Sequence, residues 1–110
     1  MLPLAALLTA AREARHWQRV CSLGARELAR LRATHDRWAP IHTNAVDRGL
    51  DVEWLSTMLL SVEHDVATAR FALRSARAKL VRWLATCENT AREVARMRDA
   101  ARKPISTFPP

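Results

Sequence analysis

Apolar residues recur at alternating intervals of three and four through most of this 110-residue chain. In the second half this series is apolar throughout except for Thr90, and it occupies positions 52, 55, 59, 62, 66, 69, 73, 76, 80, 83, 87, 90, 94, 97 and 101. The first half carries the same alternation at positions 7, 10, 14, 17, 21, 24, 28, 31, 35 and 38. A seven-residue repeat sustained over so many turns is typical of helices that pack as a left-handed coiled coil.

The residues between the two series indicate where the helices end. Pro40 predicts the end of the first helix, because proline disfavours helical backbone in the residue before it. Gly49 is a loop residue, and Asp51 is well placed to cap the second helix. Pro104 then ends that helix. We therefore predict one domain over 1–103, with helix 1 over about 4–38, a turn over 39–51, helix 2 over about 52–103 and a flexible tail over 104–110.

A single short turn between two heptad helices implies an all-α fold, in which the two long helices form an antiparallel coiled-coil hairpin. A turn centred near residue 45 places Gly24 opposite Val66, and it leaves residues 87–101 without a partner in the chain. This unpaired seam predicts contact with a second copy, with another protein or with the N-terminus folded back. The alternative is a break in helix 2 at residues 86–90, with the last turns folding back as a third helix. The predicted seam includes Leu28, Leu31, Leu55, Leu59, Val62, Val66, Leu73 and Leu80.

Charge divides the predicted hairpin into an acidic turn end and a basic stem. The net charge is +7, yet residues 39–65 hold five acidic residues and one basic residue. Residues 66–103 hold ten basic and three acidic residues, and most of the arginines lack an acidic residue one turn away. Such an excess favours an acidic partner. The predicted basic binding surface comprises Arg12, Arg19, Arg26, Arg70, Arg74, Arg77, Lys79 and Arg82.

At the turn end, this register brings Trp38 to the region of residues 52–55. Trp54 then completes a predicted aromatic cluster, which makes the two tryptophans a second candidate contact for a partner.

The residues that could act in catalysis or bind a metal are scattered along the sequence. The sequence has no glycine-rich phosphate loop and no HExxH, CxxC or nucleophile-elbow motif. The four histidines lack metal-ligand spacing, so we expect no enzyme, no cofactor and no metal site. Two cysteines make no disulfide framework, and no apolar run approaches the ~20 residues that span a bilayer. We expect a cytoplasmic protein.

Two segments resemble the FliJ/YscO/SpaM group, the stalk proteins of flagellar and type III secretion systems. One is HWQRVCSLGARELARLRATHDRW, which is similar to the first helix of that group. The other is DRGLDVEWLSTMLLSVEHDVATARFAL, whose polar lead-in, acidic first turn and apolar seam are similar to the opening of the second helix. The resemblance extends over roughly residues 17–97 and is one of pattern, since the group has no catalytic motif.

The resemblance implies a stalk that inserts into a hexameric export ATPase and faces an export-gate protein with its turn end. It also implies a place at the inner-membrane secretion apparatus, with the basic stem contacting the ring. Two alternatives follow from the residues themselves. One is a nucleic-acid-associated coiled coil that binds phosphates through its arginines. The other is a secretion chaperone or scaffold that dimerises through residues 87–101.

Overall fold

The computed structural model describes residues 3–102, and within them the chain forms two long α-helices and no strand. Helix α1 spans Pro3–Asp47 and helix α2 spans Glu53–Arg102. The two pack against each other as an antiparallel hairpin, which confirms the predicted all-α fold. The radius of gyration is 25.7 Å, about twice the ~13 Å expected of a compact chain of this length. The predicted tail over 104–110 lies outside the described residues.

The seam between the helices follows the apolar series. Each position of the series from Leu7 to Trp38 in α1, and from Val52 to Val94 in α2, is buried or half-buried. Only Met97 and Ala101, at the far end of α2, are exposed. Val62, Val66 and Leu80 are half-buried. The most deeply buried side chains are Ala10, Ala14, Leu28, Leu31, Leu55, Leu59, Leu73 and Ala76.

Helix α1 continues beyond its predicted end at Trp38, through Pro40, to Asp47. Pro40 removes one backbone hydrogen bond, which costs about 3 kcal/mol in a helix interior. It lies on the exposed outer face, and the alternation of three and four continues past it to the half-buried His42 and Ala45. The packing of this further stretch against α2 offsets the cost of the proline.

The connection between the helices is a short Schellman turn. Gly49 has a φ of 68°, in the left-handed region that glycine adopts without strain. Its N–H donates to the carbonyl of Val46 at 3.0 Å, and the N–H of Leu50 donates to the carbonyl of Ala45 at 3.0 Å. These two bonds define the motif. The backbone N–H of Glu53 then donates to the carboxylate of Asp51 at 3.1 Å, as expected of a residue that caps α2.

The later turn shifts the pairing of the helices by about one heptad from the predicted register. His42 Nε2 lies 2.7 Å from Ser56 Oγ, and His35 Nε2 lies 3.3 Å from Glu63 Oε1. Gly24 therefore faces Leu73, whereas a turn centred near residue 45 places it opposite Val66.

The shift also changes the far end of the rod. A groove of about 350 Å³ there is lined by both helix ends, through Pro3, Leu4, Val94, Met97 and Arg98. Residues 87–94, predicted to lack a partner, are thus covered by the start of α1. Helix α2 is continuous through residues 86–90, so the alternative with a third helix is wrong.

Candidate partner-binding edge

Four arginines from both helices lie side by side along one edge of the rod. Arg70, Arg74 and Arg77 are one turn apart on α2, so their side chains lie on one face. Arg32 lies across the seam on α1. A groove of about 250 Å³ is lined by all four arginines together with Leu28 and Leu73. We call Arg32, Arg70, Arg74 and Arg77 the arginine edge.

An acidic pair adjoins the arginine edge on the side of the turn. A neighbouring groove of about 400 Å³ is lined by Arg32, His35, Asp36, Glu63, Val66 and Arg70. The two grooves share Arg32 and Arg70 and so form one continuous strip. Along this strip the charge changes sign, from Asp36 and Glu63 near the turn to Arg74 and Arg77 on the stem.

The members of the arginine edge carry no ion pair within residues 3–102. The ion pairs found there join Arg30 to Glu27, Arg92 to Glu88, Arg98 to Asp99, and His35 to Asp36 and Glu63. All four arginines of the edge are exposed. Their guanidinium groups are therefore free to donate charge-assisted hydrogen bonds to carboxylates or phosphates.

Arg30 differs from the arginines of the edge because it has an acidic partner within the chain. Arg30 donates hydrogen bonds to both carboxylate oxygens of Glu27, at 2.6 and 3.0 Å. These hydrogen bonds outweigh the opposing desolvation and, with the coulombic attraction of Arg30, lower the pKa of Glu27 below its ordinary value. Both side chains are exposed to solvent, so the pair adds little to stability.

The remaining residues of the predicted basic surface are not brought together. Arg12, Arg19 and Arg26 lie exposed on the outer face of α1, and Arg82 lies exposed on α2 away from the arginine edge. The ammonium of Lys79 lies 4.4 Å from the centroid of the Trp17 ring, so it packs against the seam as a cation–π contact. Arg32 was missed by sequence reasoning, because only the observed pairing of the helices places it beside Arg70.

The two tryptophans predicted to meet at the turn end have different surroundings. Trp38 is half-buried on the seam with the guanidinium of its neighbour Arg37 5.8 Å from the ring centroid, whereas Trp54 is 65% exposed. The aromatic pair in the described residues is instead His16–Trp17, with ring centroids 5.0 Å apart. The turn end also exposes other apolar side chains, namely Ile41, Val46 and Leu50.

In the part of the chain that the structure describes, the side chains that could bind a metal ion do not form a cluster. Among residues 3–102, no cluster of three or more His, Cys, Asp or Glu side chains could hold a metal ion. Cys21 and Cys87 are free thiols, half-buried at separate positions of the seam. Neither described helix has a stretch that is long and apolar enough to cross a membrane.

The described residues form an antiparallel helical hairpin with a charged strip along one edge. No protein-family model matches the chain, and no curated protein or solved structure shows significant similarity to it.

Proposed function

We propose that this chain is a non-enzymatic coiled-coil rod that binds an acidic protein through its arginine edge. One observation carries the proposal: four arginines from two helices line one groove, and none of them is ion-paired within residues 3–102. Four unpaired guanidinium groups close together repel one another. Carboxylates of a partner relieve that repulsion and accept the hydrogen bonds that the chain itself leaves unmade.

The partner that we propose is the ring of a hexameric export ATPase, as the resemblance to the FliJ/YscO/SpaM group implies. Helix α2 has 50 residues and is about 75 Å long, so the hairpin is a stiff element able to reach through a ring. In this proposal the arginine edge contacts acidic side chains of the ring. The turn end, with the exposed Trp54, contacts an export-gate protein, which places the chain in the cytoplasm at the secretion apparatus.

A nucleic acid is the second candidate partner, because the same arginines fit phosphate groups. The strip is poorly suited to a long phosphate backbone. Its arginines on α2 extend over only about 10 Å of the helix axis. Asp36 and Glu63 follow immediately and repel phosphates beyond that point. These two carboxylates favour a protein partner that carries charges of both signs.

Binding to the purified export ATPase of the same organism tests this proposal. We expect the wild-type chain to bind the hexamer and to change its rate of ATP hydrolysis. The variant Arg74→Glu/Arg77→Glu should lose both effects while it retains its helicity. The control variant Arg82→Glu/Arg96→Glu makes the same change of net charge at exposed positions off the arginine edge, and it should bind like the wild type.

Two outcomes would contradict the proposal. If the ATPase does not bind and nucleic acid copurifies with affinity that falls steeply with salt, the stalk proposal is wrong and the second candidate is favoured. Equal loss of binding in both variants would mean that net charge, and not the arginine edge, governs the interaction.

A further inference from the structure

Between residues 67 and 85, one exposed side of α2 carries only arginine, alanine and large apolar side chains. These residues lie in three neighbouring rows outside the seam, and within each row they are seven residues apart. Three of the residues are alanines, and the other six are larger. We call these six the Phe71 face: Arg70, Phe71, Arg74, Arg77, Val81 and Leu84.

The apolar residues of the Phe71 face are more than half exposed. Phe71 is 73% exposed, Val81 is 66% exposed and Leu84 is 52% exposed. The other exposed positions of the same stretch differ, since all but one are polar: Thr68, Ala72, Ser75, Lys79, Arg82 and Thr86. Large exposed apolar side chains are therefore confined to one side of this part of α2.

The Phe71 face carries positive charge without any acidic residue. Residues 66–87 contain no Asp or Glu, and Asp65 and Glu88 are the nearest acidic residues along the helix. Glu88 is paired with Arg92. The arginines of the face carry no ion pair within residues 3–102. A partner of this face must therefore supply negative charge and also accept apolar side chains.

We propose that the Phe71 face docks on the surface of an anionic lipid bilayer, with the rod lying along the membrane. Large apolar and basic side chains on one helix are the features of helices that lie in a membrane interface. Phe71, Val81 and Leu84 enter the boundary between the headgroups and the acyl chains. The arginines beside them bind headgroup phosphates, and the negative surface potential of the bilayer attracts them.

The arrangement of charge within the face favours a bilayer over an acidic protein as its occupant. Arg74 lies one helical turn from Phe71 on one side and from Ala78 on the other, so the charge is interleaved with the apolar side chains. Protein interfaces commonly have few charges in an apolar core and place them at the rim. At a bilayer, an interleaved arginine keeps its aliphatic stem along apolar surface while its guanidinium reaches the headgroups.

This inference goes beyond the proposed function and does not rest on it. The Phe71 face and the arginine edge share Arg70, Arg74 and Arg77, so the bilayer and an acidic protein compete for these arginines. Phe71 and Val81 belong to the Phe71 face alone. Their substitution therefore tests the bilayer while the arginine edge stays intact.

Cosedimentation with lipid vesicles tests the proposal. We expect the chain to bind mixed vesicles of phosphatidylglycerol and phosphatidylcholine about tenfold or more tightly than vesicles of phosphatidylcholine alone. Phe71→Ser/Val81→Ser should weaken this binding about tenfold or more, because affinity increases with buried apolar area. The matched control Leu23→Ser/Ile41→Ser removes two exposed apolar side chains of α1, and it should bind like the wild type.

A pair of charge reversals separates the Phe71 face from net charge. Arg74→Glu/Arg77→Glu should weaken binding to the anionic vesicles about tenfold or more. Arg12→Glu/Arg19→Glu makes the same change of net charge at exposed positions of α1, and it should have a clearly smaller effect. Both variants should retain the helicity of the wild type, measured by circular dichroism.

An environment-sensitive fluorophore tests which side of α2 meets the lipid. In the Cys21→Ala/Cys87→Ala background, a label attached at Ala78→Cys should shift its emission to shorter wavelength on anionic vesicles. A label at Ala72→Cys lies about 120° away around the helix and should not shift.

A wild-type chain that does not bind anionic vesicles at low salt would overturn the proposal. So would binding that the double serine variant of the Phe71 face leaves unchanged. Equal loss of binding in the two charge-reversed variants, or equal spectral shifts at the two labelled positions, would overturn it as well.

Discussion

Gly24 is a seam residue whose replacement by alanine should stabilise the hairpin. It lies in the interior of α1, where glycine costs about 1 kcal/mol relative to alanine because the unfolded glycine backbone has more freedom. It faces Leu73 across the seam. The effect of Gly24→Ala therefore depends on whether a methyl group fits between the two helices.

The structure provides room for that methyl group. A Cβ atom added at Gly24 would lie 3.4 Å from Cδ1 and 3.9 Å from Cβ of Leu73, which are ordinary van der Waals contacts. No steric cost offsets the gain in helix propensity. We therefore expect Gly24→Ala to raise the free energy of unfolding by about 1 kcal/mol and Tm by about 5 °C.

Thermal and urea unfolding followed by far-ultraviolet circular dichroism measure this change. Ala25→Gly is the matched control, because Ala25 is exposed on the neighbouring position of α1 and its replacement reports helix propensity alone. That variant should lose about 1 kcal/mol. Gly24→Leu should also be destabilising, by about 1–3 kcal/mol, because its side chain exceeds the space in front of Leu73.

A loss of stability in Gly24→Ala, with the control behaving as expected, would refute the reasoning. It would mean that the helices approach more closely at Gly24 than the structure shows, so that only glycine fits at this position.

Four further substitutions test the turn, the cap, the proline and the seam by urea unfolding. Gly49→Ala should cost about 1 kcal/mol, because alanine is strained at a φ of 68°. Asp51→Ala should cost about 1 kcal/mol by removing the bond to the N–H of Glu53, and Asp51→Asn should cost less. Pro40→Ala should stabilise by about 2 kcal/mol, since it restores a backbone donor inside α1. Leu73→Ala should cost about 2–5 kcal/mol, because Leu73 is only 4% exposed.

Each of these expectations has a contrary result. Destabilisation by Pro40→Ala would place the end of α1 before residue 40, as local sequence signals suggest. Unchanged stability in Gly49→Ala or Asp51→Ala would mean that the turn lies elsewhere. A neutral Leu73→Ala would remove Leu73 from the seam.

The seam was predictable from the sequence because its signal is repeated over many turns. In the series of α2, Thr90 is polar and all the remaining positions are apolar, so this single exception does not disrupt the pattern. The cap at Asp51 was also predictable, since it depends on a side chain and a backbone group two residues apart. Both features are decided by residues close together in the chain.

The predicted end of α1 and the predicted register both differ from the structure, and the two errors have one physical cause. The local preference of Pro40 against helix was given more weight than the packing of the residues after it. His42 and Ala45 continue the same alternation, and this signal could have shown that the helix extends to the turn. Because the predicted turn was centred too early, the pairing was displaced by about one heptad.

The candidate binding edge depends on that pairing. Arg70, Arg74 and Arg77 were identified from the sequence as a group on one helix. Arg32 belongs to no basic repeat of its own, and only the observed register brings it to the same groove. The acidic neighbours Asp36 and Glu63 were likewise unconnected in the sequence, although they come from both helices to one end of the strip.

The register of the hairpin is the central claim of this account, since the arginine edge follows from it. Disulfide formation between engineered cysteines tests it most directly. At Gly24 and Leu73 the distance between Cβ positions is 3.9 Å, close to the ~3.8 Å of disulfides. In the Cys21→Ala/Cys87→Ala background, Gly24→Cys/Leu73→Cys should form a disulfide within one chain, and Gly24→Cys/Val66→Cys should not. Efficient linking of the second pair within one chain, or linking of the first pair only between chains, would contradict the account.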